Sequence, residues 1–440
     1  MSYEGIKSAI LTILVLGSIF LTWNLWTYQP HYETLDKTNT VAEVSLSEKQ
    51  EVKKIVRPDQ VVYHIKGEHY GTNNANELDR LIKELSSWSF SDVKNYSDKV
   101  GNIKELVHGS GNVEIIFPAD IPIDLYRSVL TFQDKKIPAF NFSRIIINVE
   151  NSEKETGSVY FVSSDYQQVY ISHISASNIA DFTSKFYKTA SHYPHFFAYQ
   201  TTDKKVIYLP DNNTEMMEYK YLPVTFNADE FKEALFSDPR FVQKSFIPSG
   251  EEFTNGISKM TVNNNTNMLI YVNPTAENSY FDTSYDLVKR SIDFVNEHGG
   301  WTDPYRYVGN NEVSKSVTFR LYSIEGYPVF NEDGISEMTE VWGRDEINKY
   351  VRPNIALELP LTSETQKMTL PSGHEALKFL QSKKDFKPEL LDQLVLGYHM
   401  QRDSEEQRLI LLEPAWYYRY DKAWGQITMD DLGGMKHGLE

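Results

Sequence analysis

Residues 8–30 read SAILTILVLGSIFLTWNLWTYQP and contain no charged side chain, in a chain that is 24% Asp, Glu, Lys and Arg as a whole. A helix rising ~1.5 Å per residue through this run reaches roughly 34 Å, enough to cross a hydrocarbon core of ~30 Å. The run therefore predicts a single transmembrane helix at 8–30 behind a short tail at 1–7. A cleaved signal peptide would end in a small-x-small processing site, whereas this run leaves through Trp23, Asn24, Trp26 and Tyr28. Trp23, Trp26 and Tyr28 are the expected anchors at the membrane interface. Gly17 and Ser18 are the smallest side chains near mid-membrane, and Thr22 lies one turn beyond Ser18. Small residues on one face let a second helix approach closely, so Gly17, Ser18 and Thr22 are candidate contacts for a membrane partner. The plainer alternative is that they are tolerated positions facing lipid.

Glu4 and Lys7 alone carry side-chain charge ahead of the run, while Glu33, Asp36, Glu43, Glu48 and Glu51 lie beyond it against four lysines. This asymmetry places the N-terminus in the cytoplasm and the body outside the cell. The chain has no cysteine, which removes disulfides, thiolate catalysis and cysteine-ligated zinc together. A formal charge of −17 disfavours nucleic acid, whose affinity depends on neutralising phosphates, and equally disfavours adhesion to an anionic wall or membrane surface.

The chain beyond residue 30 is too long for one ordinary core. Aromatic residues make up 13% of the chain, led by 28 Tyr and 23 Phe, which suits broad half-buried sheets more than helical bundles. The expected fold is α+β: a three-domain mixed α/β ectodomain with mostly antiparallel sheets. The polar segment 31–55 reads as a stalk, and 56–205 as an N-terminal extracytoplasmic domain. Strands are expected at 61–65, from 113, from 144, from 158 and from 168, with a helix near 179–187. Leu78, Leu81, Ile82 and Leu85 form a helical stripe at i, i+3, i+4 and i+7. The remainder divides into a central domain at 216–345 and a C-terminal domain at 346–440, read as related in topology. Each offers a helix followed by a hairpin, and the separation of Phe294 from Pro328 closely matches that of Phe379 from Trp416. Ser372 stands three residues before Glu375, the spacing of a capping box, which supports a helix at 374–382. A further helix is expected to lead into LVLGYHM.

No local motif assembles a nucleophile, a base and an oxyanion or metal site: there is no G-x-S-x-G, H-E-x-x-H or P-loop. His64 and His69 flank Lys66-Gly67-Glu68, a spacing that puts the two rings on opposite faces of an extended segment. His192 and His195 bracket Tyr193-Pro194. Both pairs read as structural histidines, and no catalytic residue, metal or cofactor is expected. The Asn331-Glu-Asp-Gly334 stretch reads as a hairpin turn, since a calcium loop needs alternating ligands through twelve positions. A remote carboxylate pair acting on a wall glycan stays open, because such pairs are defined by separation in space. Trp416, Tyr417, Tyr418, Tyr420 and Trp424 fit either sheet packing or a carbohydrate platform.

The anchor's exit, TWNLWTYQPHYE from Thr22, with the preceding IKSAILTILVLGSIFLTW and the later VRPDQVVYHIKG from Val56, resembles the YycH family. These are accessory membrane proteins of the Yyc (Wal) two-component system of low-GC Gram-positive bacteria. The resemblance implies a single-pass, non-enzymatic protein of the cell membrane. Such a protein binds the sensor histidine kinase YycG/WalK together with a YycI-like membrane partner, and modulates the kinase in cell-wall homeostasis. The family supplies no catalytic residues to carry over. Two other classes remain beside it, a ligand- or peptide-binding ectodomain and an anchored cell-wall hydrolase.

Overall fold

A computed structural model describes residues 15–18, 47–150, 156–276, 283–344, 346–429 and 431–432. Residues 1–43 and 44–440 are separate units. In the first, residues 15–18 are helical and exposed, and Gly17 and Ser18 are among them. Thr22, Trp23, Trp26 and Tyr28 lie outside the described residues. Among the described residues, no helix is long and apolar enough to cross a membrane.

The second unit is a compact α/β body of mostly antiparallel sheets. Its first ten strands in chain order are β1 (Gln60–Ile65), β2 (Glu68–Thr72), β3 (Ser89–Asn95), β4 (Asn112–Pro122), β5 (Thr131–Phe132), β6 (Asn141–Asn148), β7 (Thr156–Val162), β8 (Val169–Ser175), β9 (His195–Gln200) and β10 (Val206–Pro210). They form one sheet in the order β10-β9-β2-β1-β4-β6-β7-β8-β3-β5. The strands expected from the sequence at 61–65, 113, 144, 158 and 168 are β1, β4, β6, β7 and β8. The helix Ala75–Ser86 buries Leu78, Leu81 and Leu85, each contributing about 1.5–3 kcal/mol, and Asn74 caps its first turn by accepting from the Asn76 and Glu77 amides.

An eight-stranded sheet runs from Gln243–Ile247 at one edge to Tyr305–Asn311 at the other, with the helix Ser284–Glu297 packed on it through Leu287, Val288, Ile292 and Val295. A six-stranded sheet is built on the hairpin Leu391–Arg402 and Ile410–Tyr420. The helix Gly373–Ser382 precedes it, and the capping box of Ser372 and Glu375 is formed. These sheets exchange strands across the expected boundary near 345. Ile347–Pro353 pairs within the eight-stranded sheet, while Thr214–Tyr221 and Val329–Phe330 join the six-stranded one.

One element differs outright from expectation. The segment leading into LVLGYHM, read as helical, is the strand Leu391–Arg402, paired along its whole length with Ile410–Tyr420. Leu391, Leu394 and Val395 mimic a helical stripe, but long-range pairing overrides so short a pattern. Gly397 shows why: a Cβ there would sit 2.8 Å from the Pro328 carbonyl oxygen and 3.0 Å from the Phe330 ring, so the strand's neighbour occupies the space a side chain would need.

Candidate functional site

Strand alternation puts Val62 and His64 of β1, Glu114 of β4 and Arg144 of β6 on one face of the large sheet. Lys66 and Gly67 turn β1 back into β2 with φ of 53° and 88°, the left-handed pair of a two-residue hairpin. The turn makes His64 and His69 direct cross-strand partners, with their Nδ1 atoms 2.9 Å apart. The expectation of opposite faces fails because it assumed one continuous strand across a spacing that the chain folds in half.

His108 ends the helix Ile103–His108, which Asn112 ties to the start of β4. Asn112 donates through Nδ2 to the Glu105 and Leu106 carbonyls at 3.2 and 2.8 Å, and Asn148 donates to Asn112 Oδ1 at 2.7 Å. His108 Nδ1 then lies 2.9 Å from Glu114 Oε2, and His64 Nε2 lies 3.4 Å from the same oxygen. Arg144 donates from Nε to Glu114 Oε1 at 2.7 Å. The Glu114 side chain is wholly buried. Burial alone would raise its pKa, but His108, His64 and Arg144 outweigh that and hold the carboxyl well below the usual range. Burial lowers both His64 and His69, the latter to about 4, with the neighbouring histidines adding to the shift at His69. The Tyr208 ring packs against all three histidines, at 5.2, 5.0 and 5.7 Å from His64, His69 and His108.

Arg144 and Tyr208 also wall a cavity of about 130 Å³ at the junction of the large sheet with the C-terminal hairpin. Two further cavities, of about 340 and 630 Å³, meet it at Pro118 and Gln393, where the Gln393 amide donates to the Pro118 carbonyl at 3.2 Å. Polar side chains in and behind the walls are tied to one another. Tyr322 donates to Asp59 at 2.9 Å, Arg306 stacks on Tyr322 with 4.1 Å to the ring centroid, and Lys205 pairs with Asp392 at 2.9 Å. Burial raises Asp59 to about 6 despite the pull of Arg306.

The other residues singled out in the sequence are dispersed. His192 Nδ1 donates locally to the Thr189 carbonyl, while His195 lies between Glu68 and Asp211, so the two are not brought together. Trp416 is fully buried and Tyr417 stacks on Phe330 at 3.9 Å, which makes these two aromatics packing, while Tyr418, Tyr420 and Trp424 are half-buried. Asn331 to Gly334 forms a turn, with Asn331 tied to the Met400 carbonyl and the Ile335 amide. Sequence reasoning missed Glu114, His108 and Arg144, because no short motif joins them.

A family profile described as "YycH protein, N-terminal domain" matches residues 4–191, and one described as "YycH protein, C-terminal domain" matches 204–432. The chain is 28% identical over 465 residues to a Bacillus subtilis (strain 168) protein named "Two-component system WalR/WalK regulatory protein YycH", with 100% of each covered. A solved structure, "Crystal Structure of YycH from Bacillus subtilis", matches with a TM-score of 0.72 at 25% identity, covering 87% of this chain and 99% of that one. Both family domains are thus present in order on one chain with the matching fold, and the chain belongs to the YycH family.

Proposed function

We propose that this chain is a membrane-anchored, extracytoplasmic regulator that binds a YycG/WalK-like sensor histidine kinase with a YycI-like partner and modulates its activity in cell-wall homeostasis. The observation that carries the reading is the end-to-end similarity to a WalR/WalK regulatory protein. The charge-free run at 8–30 supports the anchor, with the N-terminus cytoplasmic and Trp23, Trp26 and Tyr28 at the interface. A regulator of this kind shifts a kinase only by binding its signalling states unequally. That task needs contact surfaces and no chemistry of its own, so the reading treats the chain as a non-enzyme.

The test is affinity purification of the intact, anchored protein from membranes. The expected result is co-purification of a sensor kinase, weakened when Gly17 or Ser18 is replaced by Leu, since close packing supplies much of the affinity between membrane helices. Recovery of the protein without any histidine kinase would reject the reading.

A further inference from the structure

The buried cluster beside β1 has the composition and spacing of a metal site. His64, His108 and Glu114 each offer one ligand atom, and these atoms lie within 4.8 Å of one another. A tetrahedral zinc with bonds of ~2.0–2.1 Å sets its ligand atoms roughly 3.3 Å apart. The separations to Glu114 Oε2, 2.9 Å from His108 Nδ1 and 3.4 Å from His64 Nε2, bracket that value.

The surroundings orient the ligands as outer partners of a metal do. Arg144 occupies Glu114 Oε1, which leaves Oε2 as the single oxygen turned toward the histidines. His69 occupies His64 Nδ1, which leaves Nε2 facing the carboxylate. A self-contained network with a proton shared between His108 and Glu114 is the competing account. It leaves His64 Nε2 unexplained: that atom is buried, approaches Glu114 Oε2 only to 3.4 Å, and makes no hydrogen bond within normal geometry among the described residues. Buried polar atoms almost always have one. A metal fills the His64 Nε2 valence directly.

We propose that His64, His108 and Glu114 form a zinc-binding site, with His69 and Arg144 as positioning residues and a water completing the fourth position. The inference is independent of kinase regulation. It departs from the expectation, drawn from the lack of cysteine, of ligand spacing and of motifs, that the chain holds no metal.

The experiment uses the full-length protein in detergent, stripped with a chelator, dialysed against zinc sulfate and then against metal-free buffer. Elemental analysis is expected to find about one equivalent of zinc, as a buried site with three protein ligands retains. Zinc should raise the thermal midpoint of the wild type, and His108→Ala should bind at least ~10-fold more weakly and lose that rise. His64→Ala is the second variant, and circular dichroism of both metal-free variants checks that they are folded. If a variant does not fold, the wild-type stoichiometry and midpoint decide. Retention of under about a tenth of an equivalent by the wild type, or equal retention by folded His108→Ala, overturns the proposal.

Discussion

Glu114 and Glu340 are both wholly buried carboxylates on paired strands, and their neighbours drive them in opposite directions. Glu114 faces His64, His108 and Arg144, and stays ionised. Glu340 lies between Val317 and Tyr350 in the eight-stranded sheet, where neither carboxylate oxygen has a hydrogen-bond partner among the described residues. Burial pushes its pKa far up, and the opposing pulls of Ser291, Trp342 and Arg352 are too small to reverse this. Trp342 spends its indole N–H on Ser291 at 2.8 Å, and Arg352 spends its guanidinium on the Gly300 carbonyl and the Tyr350 hydroxyl. Burial therefore does not decide the charge of an acid; the commitment of the nearby donors does.

The sharpest way to break this comparison is Glu114→Ala in the metal-free protein. Removing the carboxylate leaves the Arg144 guanidinium buried without its partner, and breaking a buried pair in this way costs about 3–5 kcal/mol. Urea unfolding measures it. A cost under about 1 kcal/mol, the worth of an ordinary hydrogen bond, would mean that Glu114 does not hold the cluster together.

Glu340→Met should act with the opposite sign. The native carboxyl keeps its proton above the unfolded value of 4.5, so its favourable contribution is present below that pH and is lost as pH rises through the folded value. A methionine of similar volume has no such loss. The variant should therefore be more stable than the wild type at pH 8 by about 1–2 kcal/mol, with the advantage shrinking toward pH 4. Destabilisation of the variant at every pH would show that Glu340 is satisfied by partners and that the contrast with Glu114 is false.

The same contrast explains which parts of the molecule were legible in the sequence. The stripe Leu78, Leu81 and Leu85 and the Ser372/Glu375 box are local, and both are present as read. The LVLGYHM strand was misread because its conformation is imposed by Ile410–Tyr420, a partner absent from any short window. The histidine cluster failed for a related reason. His64 and His69 were visible as a pair, but a turn at Lys66-Gly67 reversed the geometry that their spacing suggested, and His108, Glu114 and Arg144 came from a helix and two further strands. Glu340 carries no sequence signal at all, since nothing in EMTEVW says which acid loses its water.

Asp303 extends the comparison to a smaller effect. It accepts the Leu357 amide at 3.0 Å, yet burial raises it to about 7 against that bond, the Glu358 amide and the charge of Arg352. The folded state thus holds a proton that the unfolded chain gives up near pH 3.8, and stability falls as pH rises between those two values. Asp303→Asn keeps an acceptor for Leu357 and removes the titration. Thermal melting from pH 5 to 8 should show a decline in the wild type that is flatter in the variant, by an amount on the order of 1 kcal/mol across the range. Parallel profiles would mean that Asp303 is ionised throughout. The Leu357 and Glu358 amides with Arg352 would then do for Asp303 what Arg144 and two histidines do for Glu114, and committed donors would no longer account for the difference between the two regions.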